Sequence, residues 1–144
     1  MRAISTSAKR SALMGQIRQK GSSAELKVAT ELRRLGAAYR KNVRALPGSP
    51  DFANRRRRWA IFVNGCFWHQ HTGCKRATVP QANNAFWVAK FVANRQRDAR
   101  AVRALRLAGF RVAIVWECGV GRCADKLSKI LEPRRINLTK PVDH

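Results

Sequence analysis

Trp59-Ala-Ile-Phe-Val-Asn-Gly-Cys-Phe-Trp-His-Gln-His-Thr-Gly-Cys74 is the stretch on which the reading of the fold turns. Trp59 to Val63 is a short apolar run, aromatic and β-branched in part, and Gly65 breaks it where two cysteines, two histidines and two aromatics begin. The pattern predicts a strand that delivers a site at its end.

Upstream, Tyr39 to Leu46 reads as another strand, followed by the Pro47-Gly-Ser-Pro50 turn and the short strand opening of Asp51-Phe-Ala53. Arg55 to Arg58 forms a basic hairpin tip before the Trp59 strand. A turn aspartate is ordinarily just solvated. Asp51, however, begins a strand joined by a tight turn to the strand that carries the Cys/His cluster, so residues 63 to 69 come within its reach. Earlier still, Ser22-x-x-Glu25 has capping-box spacing, and Leu26, Ala29, Leu32 and Leu35 recur at helical intervals until Gly36. Glu25 needs no role beyond that cap on local sequence alone.

Downstream, a polar loop over Thr78 to Asn84 precedes a long helix from about Ala85 to Ala108, closed by Gly109. Trp87, Phe91, Asn94, Asp98, Val102 and Leu105 share one face of it. Asp98 therefore lies on the stripe that meets the core, where a carboxylate needs a partner, either a neighbouring arginine or a histidine that it orients. Phe110 to Trp116 is a clear strand ending in Glu117-Cys118, and Cys123 to Leu131 is a short amphipathic helix. One domain over residues 22–132 accommodates all of it, with a basic N-terminal arm at 1–21 and a C-terminal tail at 133–144.

The composition restricts the partners. Lys and Arg number 30 against 8 Asp and Glu in 144 residues, a formal charge of +22 spread over the whole length. Such a surface calls for a polyanion, most economically nucleic acid, since neutralised phosphates release counterions; an anionic membrane or ribosomal RNA would also satisfy the charge. With 45% hydrophobic residues the chain can bury a core. It has no apolar run of about 18 residues and no signal-peptide core, so the expected compartment is the cytoplasm and the four cysteines are expected reduced.

Clustered Cys and His in that setting read as metal ligands. Cys66, His69, His71 and Cys74 lie within nine residues, and Cys118 is a fifth candidate at a strand end. A structural zinc takes four, leaving one over. A spare histidine beside a basic groove is useful as a general base, whereas a spare cysteine has no evident task.

Three blocks carry a resemblance: Leu46-Pro-Gly-Ser-Pro-Asp-Phe52, Phe62-Val-Asn-Gly-Cys-Phe-Trp-His-Gln-His71 and Val112-Ala-Ile-Val-Trp-Glu-Cys118. In order and spacing they resemble the very-short-patch repair (Vsr) mismatch endonucleases, and Ser11, Met14, Ile17, Phe86 and Trp87 fit as well. The resemblance implies an α/β fold related to the type II restriction endonucleases (the PD-(D/E)xK group), a mixed β-sheet flanked by helices, with a structural zinc site. It implies Mg²⁺-dependent nicking of one strand of double-stranded DNA beside the T of a T:G mismatch, by a monomer. Carried over by residue, Asp51 and the Val63 carbonyl would bind Mg²⁺, and His69, oriented by Asp98, would act as base. Glu25 would stand near the leaving group. Cys66, His71, Cys74 and Cys118 would hold Zn²⁺. Met14, Ile17, Phe67, Trp68 and Trp87 would contact DNA, the aromatics as a wedge at the mismatch or else as ordinary core. The family usually has His where this chain has Asn64, and often Thr at Val63, and one extra residue separates His71 from Cys74. Two other readings stay compatible with these residues: a nuclease of the same fold with a homing or restriction target, and a zinc-stabilised DNA-binding module that no longer cuts.

Overall fold

The computed structural model describes residues 23–132, so the N-terminal arm with Met14 and Ile17, the Ser22 half of the capping box and the tail lie outside the described residues. Helix α1 (Ser23–Arg34) leads to a four-stranded sheet of β1 (Arg40–Lys41), β2 (Phe52–Asn54), β3 (Trp59–Asn64) and β4 (Arg111–Trp116), in that spatial order. Helix α2 (Asn84–Leu107) connects β3 to β4, a 3-10 turn (Glu117–Arg122) follows β4, and α3 (Ala124–Leu131) completes the described chain. The pairs β1–β2 and β2–β3 are antiparallel, joined by local connections, whereas β3 and β4 are parallel and need the crossover that α2 supplies.

Alternation along β3 sorts its side chains to two layers. Trp59 and Ile61 join Phe52, Ala113 and Val115 against α1 and α3. Ala60 and Phe62 join Ala53 and Leu105 against α2. Both long-range helix stops read from the sequence are present as Schellman caps: Gly36 (φ 70°) and Gly109 (φ 86°) take the left-handed conformation, with Ala37 N–H donating to Leu32 O and Phe110 N–H to Leu105 O, each at 2.9 Å.

Two local expectations change. On α1 the buried stripe is Ala24, Val28, Ala29 and Leu32, and Leu26 faces outward, because the sheet meets the i, i+4, i+8 row beginning at Ala24. The Tyr39–Leu46 strand contracts to Arg40–Lys41. Asn42 and Val43 still donate to the carbonyls of Asp51 and Pro50 at 3.0 Å, but Asn42 has φ 50° and Leu46 N–H turns back to Val43 O, so the chain curls out of the ladder. No helix among the described residues is long and apolar enough to cross a membrane.

Candidate active site

The parallel pair sets the place of the site: Asn64 at the end of β3 lies opposite Trp116 at the end of β4, and both chains turn there into the Cys/His loop and the 3-10 turn. Ligand sites in open sheets gather at the carboxyl ends of parallel strands. A cleft of about 460 Å³ opens at this edge, lined by Glu25, Asp51, Val63, Asn64, His69 and Asp98 among others.

Asp51 precedes β2, and its Oδ2 accepts the Val63 N–H at 2.7 Å across the strand pair. Burial is the main cause that raises its carboxyl to about 6, the Val63 bond opposes the rise, and Glu25, hydrogen-bonded to it, adds to it. Glu25, in the first turn of α1, thus faces the cleft and meets Asp51 there. From α2, Asp98 presents Oδ2 to His69, whose Nδ1–H donates to it at 2.5 Å. A carboxylate only accepts, so this contact fixes the tautomer and leaves Nε2 as the basic nitrogen. Of the two partners open to Asp98, the histidine is the one it meets. Asn64 is buried at the cleft wall.

The Cys/His loop hangs beside this cleft. The ligand atoms of Cys66, His71, Cys74 and Cys118 all lie within 4.8 Å of one another. His71 Nδ1 is 3.8 Å from Cys66 Sγ and 3.4 Å from Cys118 Sγ, close to the roughly 3.5–3.8 Å edge that a zinc tetrahedron with bonds of about 2.0–2.3 Å would have. Burial pushes the Cys66 thiol up to about 12. A divalent ion reverses that preference, because it binds the thiolate. These four residues could hold a metal, and His69 points elsewhere, to Asp98. The imidazole of His71 is stacked on Trp116 at 4.1 Å and 9°, so the last residue of β4 braces the loop.

Phe67, Trp68, Trp87 and Phe91 form a mutually packed aromatic cluster. Trp68 and Trp87 are buried, Phe67 half-buried and Phe86 the exposed ring beside them. Asn94 donates to Trp68 O at 3.3 Å and accepts from Arg97 at 2.7 Å, tying this cluster to α2.

Two cleft residues escaped the sequence reading as site residues. Glu117 lines the cleft and accepts from Arg76 through Oε1 at 2.8 Å, which links the end of β4 to the Cys/His loop two residues past Cys74. Its place between Trp116 and Cys118, at a strand end, was the available signal. Asn94 was visible as a polar residue on the buried stripe, and its partner lies 26 residues away.

The sequence matches the family model of the DNA mismatch endonuclease Vsr over residues 3–76. It is 40% identical over 124 residues to the type II nicking enzyme V.XorIIP of Xanthomonas oryzae, covering 84% of this chain and 90% of the relative. It is 40% identical over 121 residues to the DNA mismatch endonuclease Vsr of Escherichia coli K12, covering 84% and 76%. To the type II nicking enzyme V.NmeAIP of Neisseria meningitidis it is 34% identical over 131 residues, covering 89% and 93%.

Proposed function

The chain belongs to the Vsr family of DNA mismatch endonucleases and is a strand-nicking endonuclease of mismatch repair; from that premise we propose that it cuts one strand beside the T of a T:G mismatch, using Mg²⁺. The observation that carries the reading is the convergence of Asp51, Glu25 and the His69–Asp98 pair on one cleft.

Asp51, with the backbone carbonyl of Val63, would hold the Mg²⁺; the meeting of the Asp51 and Glu25 carboxyls in the cleft is an arrangement that suits a cation between or beside them. When bound, that ion would stabilise negative charge building on the phosphate oxygens. His69 takes the proton of the attacking water at Nε2, and the Asp98 carboxylate at Nδ1 stabilises the imidazolium that results. Glu25, which meets Asp51 in the cleft, would act near the leaving group. Asn64 can donate and accept hydrogen bonds to water in the cleft but transfers no proton near neutrality. Cys66, His71, Cys74 and Cys118 would bind Zn²⁺ as a structural clamp. Of the wedge aromatics, Trp68 and Trp87 are buried in the cluster, so half-buried Phe67 would be the ring that first meets the duplex with the two tryptophans behind it, and Met14 and Ile17 of the arm would be further DNA contacts. Unstacking costs a few kcal/mol, less at a weakened pair. All the groups the reaction needs come from one chain, which suits a monomer.

The test is nicking of matched and T:G duplexes with and without Mg²⁺. Cutting of the T:G duplex alone, and only with the metal, is expected. Equal cutting of matched duplex would place the enzyme among restriction-type nickases, and binding without cutting under any divalent metal would overturn the catalytic reading.

A further inference from the structure

We propose that Arg97 is a catalytic residue of the cleft, whose guanidinium binds a non-bridging oxygen of the phosphodiester being cut and holds it more tightly as charge builds there. Arg97 stands on α2 directly before Asp98 and lines the cleft that Asp51, Glu25 and His69 share. Its Nη2 donates to Asn94 Oδ1 at 2.7 Å, and Asn94 Nδ2 in turn donates to Trp68 O at 3.3 Å. The next residue of that loop is His69, which meets Asp98. Two links side by side thus join the loop to one turn of α2. One fixes the base and the other aims the arginine.

The charges around the cleft single out this cation. Asp98 is engaged by His69 and Glu117 by Arg76, while Asp51 and Glu25 meet each other. Arg97 is in no ion pair among the described residues, although an aspartate follows it in sequence, and the partner it has is a neutral amide. On α1 the same spacing, three residues from acceptor to arginine, carries Glu31 and Arg34 as an ion pair. On α2 an amide stands in the place of the acid, so the helix orients the arginine without neutralising it. The guanidinium presents its N–H donors as a planar fork; a bond to Asn94 fixes the plane and leaves donors over for a phosphate. In the reaction a water oxygen bonds to phosphorus as the bond from phosphorus to the leaving oxygen breaks. The water gives a proton to His69 Nε2, and the departing oxygen takes one from solvent. Between these events the non-bridging oxygens carry more negative charge than in the intact strand, and a preorganised donor beside them raises the rate.

This role presupposes that the cleft nicks DNA, so wild-type nicking of a T:G duplex with Mg²⁺ is measured first; its absence would overturn the nuclease reading and the role of Arg97 together. Arg97→Gln should lower the single-turnover rate at saturating duplex by about 10²- to 10³-fold. Duplex affinity should change far less, with the log–log salt slope reduced by no more than roughly 0.9, one phosphate contact. Arg97→Lys keeps the charge without the fork and should fall between R97Q and the wild type. The decisive substrates carry a phosphorothioate at the cut, in each of its two configurations. Sulfur accepts hydrogen bonds poorly, and its effect on a bound metal is common to all the proteins, so it cancels in the ratio of wild-type to variant rates. That ratio should shrink several-fold for one configuration, in which sulfur replaces the oxygen that Arg97 binds, and persist for the other. Wild-type nicking by R97Q overturns the assignment. So does a loss of affinity with the saturated rate intact, which would make Arg97 a binding contact only. A ratio that is the same for the native phosphate and both phosphorothioates also overturns it, since a structural defect slows every substrate alike. If R97Q loses the wild-type melting temperature, R97K on the same three substrates decides by the same ratio.

Discussion

Asp51 is pulled in two directions. The Val63 N–H stabilises its charged form, while burial and the Glu25 carboxyl favour the proton, and burial wins, raising the group from 3.8 to about 6. A carboxyl raised on folding binds more protons in the native state than in the unfolded chain. Stability of the metal-free protein therefore falls as pH rises through the window from about 4 to 6, and stays lower above it. Asp51→Asn removes the ionisation. Thermal unfolding in EDTA at pH 7.5 should show the variant more stable by about 1–3 kcal/mol, with the gain vanishing near pH 4, while nicking is lost and DNA binding is kept. A variant no more stable at pH 7.5 than at pH 4 would refute the buried-carboxyl account. His69 and Asp98 make a second case. Acid–base catalysis is typically worth about 10²- to 10⁴-fold, so His69→Ala should lower the single-turnover nicking rate by that range. Asp98→Asn should cost less than His69→Ala, since the imidazole stays in the cleft and loses only the carboxylate that orients it. The double variant should be no worse than His69→Ala, because Asp98 acts only through the histidine. Asp98 was legible as a carboxylate on a buried stripe. Which residue it would meet was not, because the partner is 29 residues distant and set by the way α2 crosses the sheet.

At the scale of elements, the Cys66–Cys74 loop and the end of β4 are tied together by chemistry rather than by a ladder. Cys118 and His71 are 47 residues apart and 3.4 Å from contact atom to contact atom, and Arg76–Glu117 and the His71–Trp116 stack cross the same gap. With zinc held there, Cys118→Ser leaves three ligands and frees the loop from β4. Zinc content after dialysis should drop well below one per chain, and a loss of about 2 kcal/mol would lower the melting temperature by roughly 6–10 °C. His69→Ala should keep its zinc; loss of metal in that variant instead would assign the ligand set to the loop alone. Helices and the two long strands were readable because their periodicities are local: α2 was placed within a residue of its bounds, and β4 likewise. The β1 region was not. Its apolar and β-branched residues suit a strand, but Asn42 at φ 50° and the Val43–Leu46 turn bend the chain toward the Pro47–Pro50 corner that presents Asp51. There tertiary placement of the site overrode local preference.

For the molecule as a whole, the charge and the chemistry are separable. Thirty basic residues supply a field that acts on any phosphate backbone, whereas four of the eight acids, Glu25, Asp51, Asp98 and Glu117, line one cleft. A chain of net charge +22 that concentrates its few carboxylates in this way keeps a small cation-attracting pocket inside a DNA-attracting surface. The surface contacts are the same in the ground state and the transition state, so they set affinity and not the rate of the chemical step. Raising the salt from 50 to 200 mM should therefore weaken duplex binding by about 10³- to 10⁵-fold if six to ten phosphates are contacted, for matched and mismatched DNA alike. The nicking rate at saturating T:G duplex should change little over the same range. Asp51→Asn should follow the wild-type binding slope, since it removes one buried carboxyl and no phosphate contact. A saturated rate that fell in step with affinity would mean that surface arginines, and not the cleft groups alone, act on the charge that develops at the scissile phosphate.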